Sequence, residues 1–381
     1  MRAIPVSMVK PGMRLGRTIF VDGQPYLRRG AEIRASYLVH LERQGITSLY
    51  ILDDIEEVQD LDEALGEETR TRAFQAVKEA MTQARTGAAL NPDAIFGAAS
   101  RIIDDILQQR DVLVHLTDIR ALNDYTFAHS VSVCALSVVL GVHRGLSPGE
   151  LRDLAVGALL HDIGKVRISE EIWNKPGPLT PDEFELVKRH PTYGFEILRR
   201  HPEFSVLSAH IAYQHHEREN GSGYPRGLSG DEIHTFARIT AVTDVYDALT
   251  SQQRPYHQPH SPIEAAEFLA SGRGELFDAA TVNTFLRRIA LYPPGSWVRL
   301  TNGEVGVVVE VRKDAPALPR VKMIERPTQE VIDLALAPQL KVAEVLSDDP
   351  RQDLKRNRRL RLPQWLPQIL APRASSGAGR R

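Results

Sequence analysis

The stretch LRDLAVGALLHDIGK, residues 151–165, decides the fold. Its apolar residues recur at helical spacing, and the doublet His161-Asp162 follows them directly. Asp162 continues the apolar stripe, so we expect its carboxylate to face the core. A buried carboxylate loses its water, and a divalent cation compensates that loss. An isolated doublet of this kind is more typical of a core histidine bonded to its neighbouring aspartate, so the other residues of the chain must decide.

Further histidines and an aspartate accompany apolar stretches of the same region. Each of them alone is more typical of a structural residue than of a ligand. Helical bundles build metal sites from inward residues on facing helices, and seven ligands that include a bridging carboxylate fit two metals better than one. Mixed nitrogen and oxygen ligands without thiolate suit iron, manganese, nickel or zinc. The candidate metal ligands are His129, His161, Asp162, His190, His215, His216 and Asp244.

Composition and periodicity divide the chain into five predicted segments. Turn signals between short apolar runs predict a small α/β or mostly β domain over residues 1–52. An acidic linker and helical connector follow at 53–114. Residues 115–292 have the helical period, and residues 293–345 have strand character. Residues 346–381 form a basic tail whose composition is typical of disorder.

Local signals sharpen this division. Ser147 with Glu150, and Thr180 with Glu183, form capping boxes with proline at the first helical position. Because Pro191 disfavours helical geometry at the residue before it, we expect His190 to end a helix. The pair Asn302-Gly303 lies between two apolar runs, which predicts a β-hairpin.

The composition excludes some classes of protein. The net charge of −2 implies no global attraction to nucleic acid, so we expect no DNA binding. A single cysteine, Cys134, excludes a disulfide framework and favours a cytoplasmic location. The N-terminus lacks a signal segment, and no apolar run approaches the roughly 18 residues of a membrane span, so we expect no transmembrane segment. The basic tail is consistent with disorder, or with contact to a protein partner or an anionic surface.

The motifs resemble a known family. They look like the HD-GYP domain of bacterial cyclic-di-GMP phosphodiesterases over roughly residues 115 to 290, and several spaced motifs recur in the family's order. The flanks resemble the small N-terminal domain often fused ahead of such domains and a common C-terminal β extension. The motifs that carry the resemblance are His161-Asp162 with Lys165, His190-Pro191, His215-His216-Glu217, Gly223-Tyr224-Pro225, Ala237-Arg238-Ile239, Asp244 to Asp247, and Arg254-Pro255-Tyr256.

This resemblance implies the architecture and the division of the ligands. We expect a mainly α protein with an HD-type helical bundle, a small N-terminal α/β or β domain and a small C-terminal β extension. One metal would take His129, His161, Asp162 and Asp244, and the other would take His190, His215 and His216, with Asp162 between them. Some family members have a glutamate for a third metal where this chain has Tyr125, so we expect two divalent ions, with iron or manganese favoured.

The implied reaction is hydrolysis of cyclic-di-GMP to linear pGpG, and the sequence leaves open whether pGpG or GMP is the final product. A metal-bridging hydroxide would attack phosphorus in line. Lys165 would lie beside Asp162 if the helix continues, and it would neutralise charge that builds up in the transition state.

Four residues are the candidate substrate contacts. Backbone N–H groups near Gly223 would approach a phosphate, Tyr224 would stack on or hydrogen-bond a guanine, and Arg254 would bind a phosphate or the guanine edge. Asp247 would contact the substrate or Lys165, or would orient a histidine ligand; a surface or capping role is equally consistent with its position. Gln252-Gln253 make this segment one residue longer than is usual in the family, which leaves the aim of Arg254 open.

Two other functions stay open. One is a sensor or scaffold that binds cyclic-di-GMP with little turnover, and the complete ligand set argues against it. The other is a one-metal HD phosphohydrolase acting on mononucleotides, which leaves His190, His215, His216 and the Gly-Tyr-Pro loop unexplained. The sequence also permits a homodimer.

Overall fold

The structure is a computed structural model. The acidic stretch 53–63, the segment that holds Arg254 and the basic tail lie outside the described residues. The residues described are 2–346 apart from 7–8, 22–23, 44–45, 47, 53–63, 109–118, 121–124, 174, 176, 252–259, 313–314, 325 and 327–329.

The N-terminal unit is a small α/β structure, as its turn signals and short apolar runs predict. Strands β1 and β2 flank β5 in an antiparallel sheet, while β3 pairs antiparallel with β4 and parallel with β6. Leu15, Ile19, Leu41, Leu49 and Ile51 build its apolar core. The elements are β1 (Arg2–Pro5), β2 (Arg14–Leu15), β3 (Ile19–Val21), β4 (Gln24–Leu27), α1 (Ala35–Arg43), β5 (Ser48–Leu52) and β6 (Ile119–Arg120).

A helical bundle forms the middle of the chain, which confirms the mainly α prediction. One contiguous apolar core joins residues from α2 to α12. The helices are α2 (Glu67–Thr86), α3 (Pro92–Gln108), α4 (Tyr125–His143), α5 (Pro148–Leu159), α6 (Glu170–Trp173), α7 (Pro181–Val187), α8 (His190–Leu198), α9 (Val206–Gln214), α10 (Thr235–Thr250), α11 (Pro262–Ser271) and α12 (Ala279–Leu286).

Helix α4 lies at the centre of this bundle and packs against α5 and α10. Among the described helices, α4 has one 18-residue segment, Thr126–His143, that is long and apolar enough to cross a membrane by length and composition. The expectation that no apolar run approaches this length is therefore wrong. Inside the bundle 72% of that segment is buried, because a helix enclosed by other helices is apolar on nearly every side.

Both predicted capping boxes are present at the starts of α5 and α7. The prediction for His190 is wrong, because His190 begins α8 instead of ending α7. Proline is well tolerated in the first turn of a helix, where its missing N–H has no intrahelical partner, and Pro191 occupies that turn. His190 is thereby placed at the buried N-terminus of α8, facing the end of α5.

The C-terminal unit is an antiparallel sheet with strand order β10-β9-β8-β7-β11. The predicted hairpin is confirmed: Asn302-Gly303 connects β7 and β8, and Gly303 has a φ of 88°, which favours glycine. The strands are β7 (Trp297–Leu300), β8 (Val305–Glu310), β9 (Arg320–Met323), β10 (Val331–Asp333) and β11 (Val342–Leu346).

Candidate metal centre

Asp162 lies where an α-helix gives way to a tighter turn. Helix α5 ends at Leu159, and a 3₁₀ helix over Ile163–Arg167 follows. With three residues per turn, a 3₁₀ helix stacks each side chain over the residue three positions earlier. The Lys165 ammonium therefore donates to Oδ2 of Asp162, although the α-helix itself does not continue.

A close backbone contact brings α8 against this turn. A Cβ added to Gly164 would lie 2.0 Å from the carbonyl oxygen of His190 and 2.4 Å from the backbone nitrogen of Gly194. Real side chains never approach backbone this closely, so the contact requires glycine at position 164. It carries the His190 ring to Asp162.

The first cluster of candidate ligands surrounds Oδ2 of Asp162. The Nε2 atom of His161 lies 3.2 Å from this oxygen, and Nε2 of His129 lies 3.8 Å from it. The Nε2 atom of His129 also lies 3.0 Å from Oδ1 of Asp244. Atoms of His129, His161 and Asp162 lie within 4.8 Å of one another, close enough to hold one cation.

The second cluster faces the other oxygen of the same carboxylate. Oδ1 of Asp162 lies 3.5 Å from Nε2 of His190 and 3.8 Å from Nε2 of His215. His216 completes the group, with Nδ1 at 3.9 Å from Oδ2 of Asp244. The two oxygens of Asp162 thus point at two different groups of histidines, as a bridging carboxylate would.

Backbone carbonyls fix the orientation of three of these rings. A carbonyl oxygen can only accept, so the ring atom facing it must be Nδ1–H, and Nε2 is then left as an acceptor. His161 donates from Nδ1 to the oxygen of Ala158 (2.8 Å), His190 to that of Val187 (2.7 Å), and His215 to that of Ala212 (3.0 Å). Each of the three rings therefore turns Nε2 toward Asp162, and in a neutral ring this atom carries the electron pair.

The second cluster suits a cation. The Nε2 atoms of His190 and His215 lie 3.3 Å apart, and both are acceptors while the rings are neutral. Burial lowers the pKa of His190 to about 4 and holds the pKa values of His215 and His216 well below the ordinary histidine value. At neutral pH no proton therefore bridges the two rings, and a metal ion suits the gap.

Unpaired buried atoms lead to the same conclusion. Among the described residues, Nε2 of His161 and Nδ1 of His216 are buried without a hydrogen-bond partner. Leaving a buried polar atom unpaired is costly, and both atoms lie in the candidate clusters. A donor set of imidazoles and carboxylates without thiolate fits a first-row divalent ion.

The two carboxylates stay ionised. Burial raises the pKa of Asp162, but the neighbouring His161 and Lys165 outweigh it and hold that pKa well below the usual range. Burial also raises the pKa of Asp244, but the hydrogen bond and charge of His129 lower that pKa by a larger amount. Both groups can therefore act as anionic ligands at neutral pH.

The predicted substrate residues lie around these clusters. Asp247 is buried and accepts a 2.7 Å hydrogen bond from Nδ1 of His129, which is the orienting contact among the roles considered for it. The Tyr224 ring stacks on the His216 ring, with centroids 4.7 Å apart. A Cβ added to Gly223 would lie 2.4 Å from Cα of Glu217, so close packing of the chain requires glycine there. Arg254 lies outside the described residues.

Glu217 belongs to the His215-His216-Glu217 motif, and the sequence alone indicates no role for it. Its side chain is 2% exposed and accepts hydrogen bonds from the backbone nitrogens of Arg226 (2.8 Å) and Leu228 (2.9 Å). These bonds fasten the Gly-Tyr-Pro loop to the end of α9. Its place directly after His215-His216 was the only sequence signal for this role.

A helical bundle that turns histidines and aspartates inward around one shared aspartate is the arrangement of an HD domain. The family model described as HD domain matches residues 101–281 of this chain. A cyclic di-GMP phosphodiesterase of Pseudomonas aeruginosa is 37% identical over 288 residues, which cover 72% of this chain and 69% of that protein. The chain therefore belongs to the HD-domain family, and the resemblance to its HD-GYP branch is confirmed.

Two further relatives match part of the chain. The cyclic di-GMP phosphodiesterase response regulator RpfG of Xanthomonas campestris is 46% identical over 38% of this chain and 38% of its own length. A cyclic di-GMP phosphodiesterase of Thermotoga maritima is 40% identical over 48% of this chain and 50% of its own length. This chain thus spans half or less of these two relatives. The names of all three belong to the enzyme class predicted from the sequence.

Proposed function

We propose that this protein hydrolyses cyclic-di-GMP to linear pGpG, and onward to GMP, with two divalent metal ions. One observation carries the proposal: the two oxygens of Asp162 face two separate groups of imidazoles. A one-metal phosphohydrolase has no use for the second group. The curated relatives supply the substrate class, because they are named for it.

The residues of the two clusters would hold the metals. His129, His161 and Asp244 would take one ion, His190, His215 and His216 would take the other, and Asp162 would join them. When bound, such ions act as Lewis acids and lower the pKa of a bound water to about 7. The proposed metal is iron or manganese, in keeping with the nitrogen and oxygen donors.

The protein's own groups would position the ions and the substrate. Carbonyl-bound Nδ1–H groups hold three rings in the ligating tautomer without help from the substrate. Lys165 keeps its ammonium at the edge of the site, where it would balance charge on the transferring phosphate. Tyr224, held against His216, would offer a guanine a stacking face, and Arg254 would bind a phosphate or the guanine edge.

Two broader proposals go with this one. A cytoplasmic location fits a chain whose single thiol, Cys134, is buried and free. We also keep the predicted division at residues 52, 114, 292 and 345 as the proposed domain boundaries.

The experiment is direct. Full-length protein loaded with manganese or ferrous iron is incubated with cyclic-di-GMP, and the products are separated by chromatography. The proposal expects pGpG to appear first and GMP later. Tight binding without a linear product would instead indicate a sensor, and hydrolysis restricted to mononucleotides would indicate a one-metal phosphohydrolase.

A further inference from the structure

A tryptophan ring lies against the lysine of the candidate site. Nζ of Lys165 lies 3.8 Å from the centre of the Trp173 ring. The same ammonium donates to Oδ2 of Asp162, which belongs to the candidate metal ligands. The face of an indole ring attracts a cation through its quadrupole, and tryptophan does so more strongly than the other aromatic residues. Lys165 is therefore held from two sides.

The segment that carries Trp173 is anchored at both ends. Glu170, at the start of α6, forms an ion pair with Arg85 of α2. The backbone nitrogen of Trp173 donates to the oxygen of Ser169 (3.0 Å), and two residues later Nζ of Lys175 lies 2.6 Å from Oε2 of Glu183. These contacts anchor the backbone of the segment that carries the ring, although α6 has no buried residue.

The two contacts restrict a side chain that is otherwise flexible. Lysine has a flexible four-carbon side chain and an ammonium with three N–H donors. One N–H of the Lys165 ammonium donates to Asp162, and a second points toward the face of the Trp173 ring. The third N–H is then left to donate to an oxygen of the substrate. A lysine that is already oriented loses less conformational freedom when the transition state forms.

We propose that Trp173 is a positioning residue that holds the Lys165 ammonium in place for catalysis. The inference rests on the proposed function, since the ring acts through a lysine assigned to phosphate. Replacement of Trp173 should lower the rate of the chemical step and leave the binding of substrate unchanged.

A double-mutant cycle tests the rate effect. In the otherwise native chain, Trp173→Leu should lower kcat about tenfold with KM nearly unchanged, and Trp173→Phe should restore most of the rate. In the Lys165→Ala background the same Trp173→Leu change should alter the residual kcat less than about twofold. An equal loss in both backgrounds would overturn the proposal, because the ring would then act without the lysine. Trp297→Leu, in the C-terminal sheet, is the matched control and should leave kcat unchanged.

A second measurement needs neither substrate nor metal. Lysines of the full chain are reductively methylated with ¹³C, which keeps their charge, and the Lys165 resonance is assigned by its loss in Lys165→Arg. A ring current should move this resonance upfield, and Trp173→Leu should return it to the position of an exposed lysine. An unshifted resonance in the native chain would overturn the proposal. Failure to hydrolyse cyclic-di-GMP, with the shift present, would instead overturn the proposed substrate.

Discussion

Asp247 holds the ring of His129 through a 2.7 Å hydrogen bond from Nδ1 to Oδ2. The opposite ring atom, Nε2, lies 3.0 Å from Oδ1 of Asp244, one helical turn earlier on α10. Two carboxylates of one helix thus flank a single imidazole. Asp247 fixes the orientation of the ring, and Asp244 lies beside Nε2, the nitrogen that would bind a metal ion.

Removing this orienting bond should weaken metal binding without removing a ligand. Asp247→Ala should lower the affinity for manganese about 10- to 100-fold, since the His129 ring loses its fixed tautomer and direction. Asp247→Asn keeps an oxygen that accepts from Nδ1–H and should recover much of the affinity. Isothermal titration with manganese measures both variants. Unchanged affinity in Asp247→Ala would show that the bond plays no part in the site.

The contact between Gly164 and α8 predicts a large effect from one methyl group. Gly164→Ala would force the added Cβ into the backbone of His190 and Gly194, which should destabilise the fold by about 1–3 kcal/mol and separate the two clusters. The matched control is Gly149→Ala in α5, where a Cβ would meet no atom within 4 Å. Urea unfolding and manganese titration should show losses for the first variant and none for the second. Native-like behaviour of Gly164→Ala would mean that α8 is free to shift.

Lys165 separates metal binding from catalysis. Lys165→Ala should keep both metals, because the lysine is not a ligand, and should lose most of the rate of cyclic-di-GMP hydrolysis. Metal content by elemental analysis and kcat from product chromatography are the two readouts. A full rate would remove Lys165 from the mechanism, and loss of metal would make its role structural.

Glu217 predicts a defect confined to the substrate loop. Glu217→Gln replaces one accepting oxygen with a donor, so one of the backbone N–H groups of Arg226 and Leu228 loses its partner. The expected result is a raised KM for cyclic-di-GMP with manganese affinity retained. Glu275→Gln, at an exposed position, serves as the control and should change neither value. A native KM in Glu217→Gln would show that the loop holds its shape without this carboxylate.

The sequence predicts much of the fold, and it also points to the histidines and aspartates that the structure brings together. Periodicity and capping boxes report local structure, so the helix starts after Ser147 and Thr180 were predicted correctly. The prediction for Pro191 is wrong because proline has two opposite effects: it disfavours helical geometry at the residue before it, and it suits the first turn of a helix that begins there. Only the packing of α8 on Gly164 decides between these two effects.

Features that depend on tertiary contact were beyond the sequence. The cation–π contact of Trp173 joins two short elements whose relative placement no periodicity encodes. The loop bonds of Glu217 reach nine and eleven residues along the chain and leave no pattern. Helix α4 shows a limit of composition as a signal. The apolar composition of a core helix resembles that of a membrane span until its neighbours are known.

The central claim is that Asp162 joins two metal ions, and metal stoichiometry tests it most directly. The full chain is loaded with manganese, freed of excess ion, and measured by elemental analysis alongside His161→Ala and Asp162→Ala. We predict two ions per native chain and a clear loss in both variants, with cyclic-di-GMP hydrolysis abolished. One ion or none in the native chain, or full occupancy and activity in Asp162→Ala, would contradict the account.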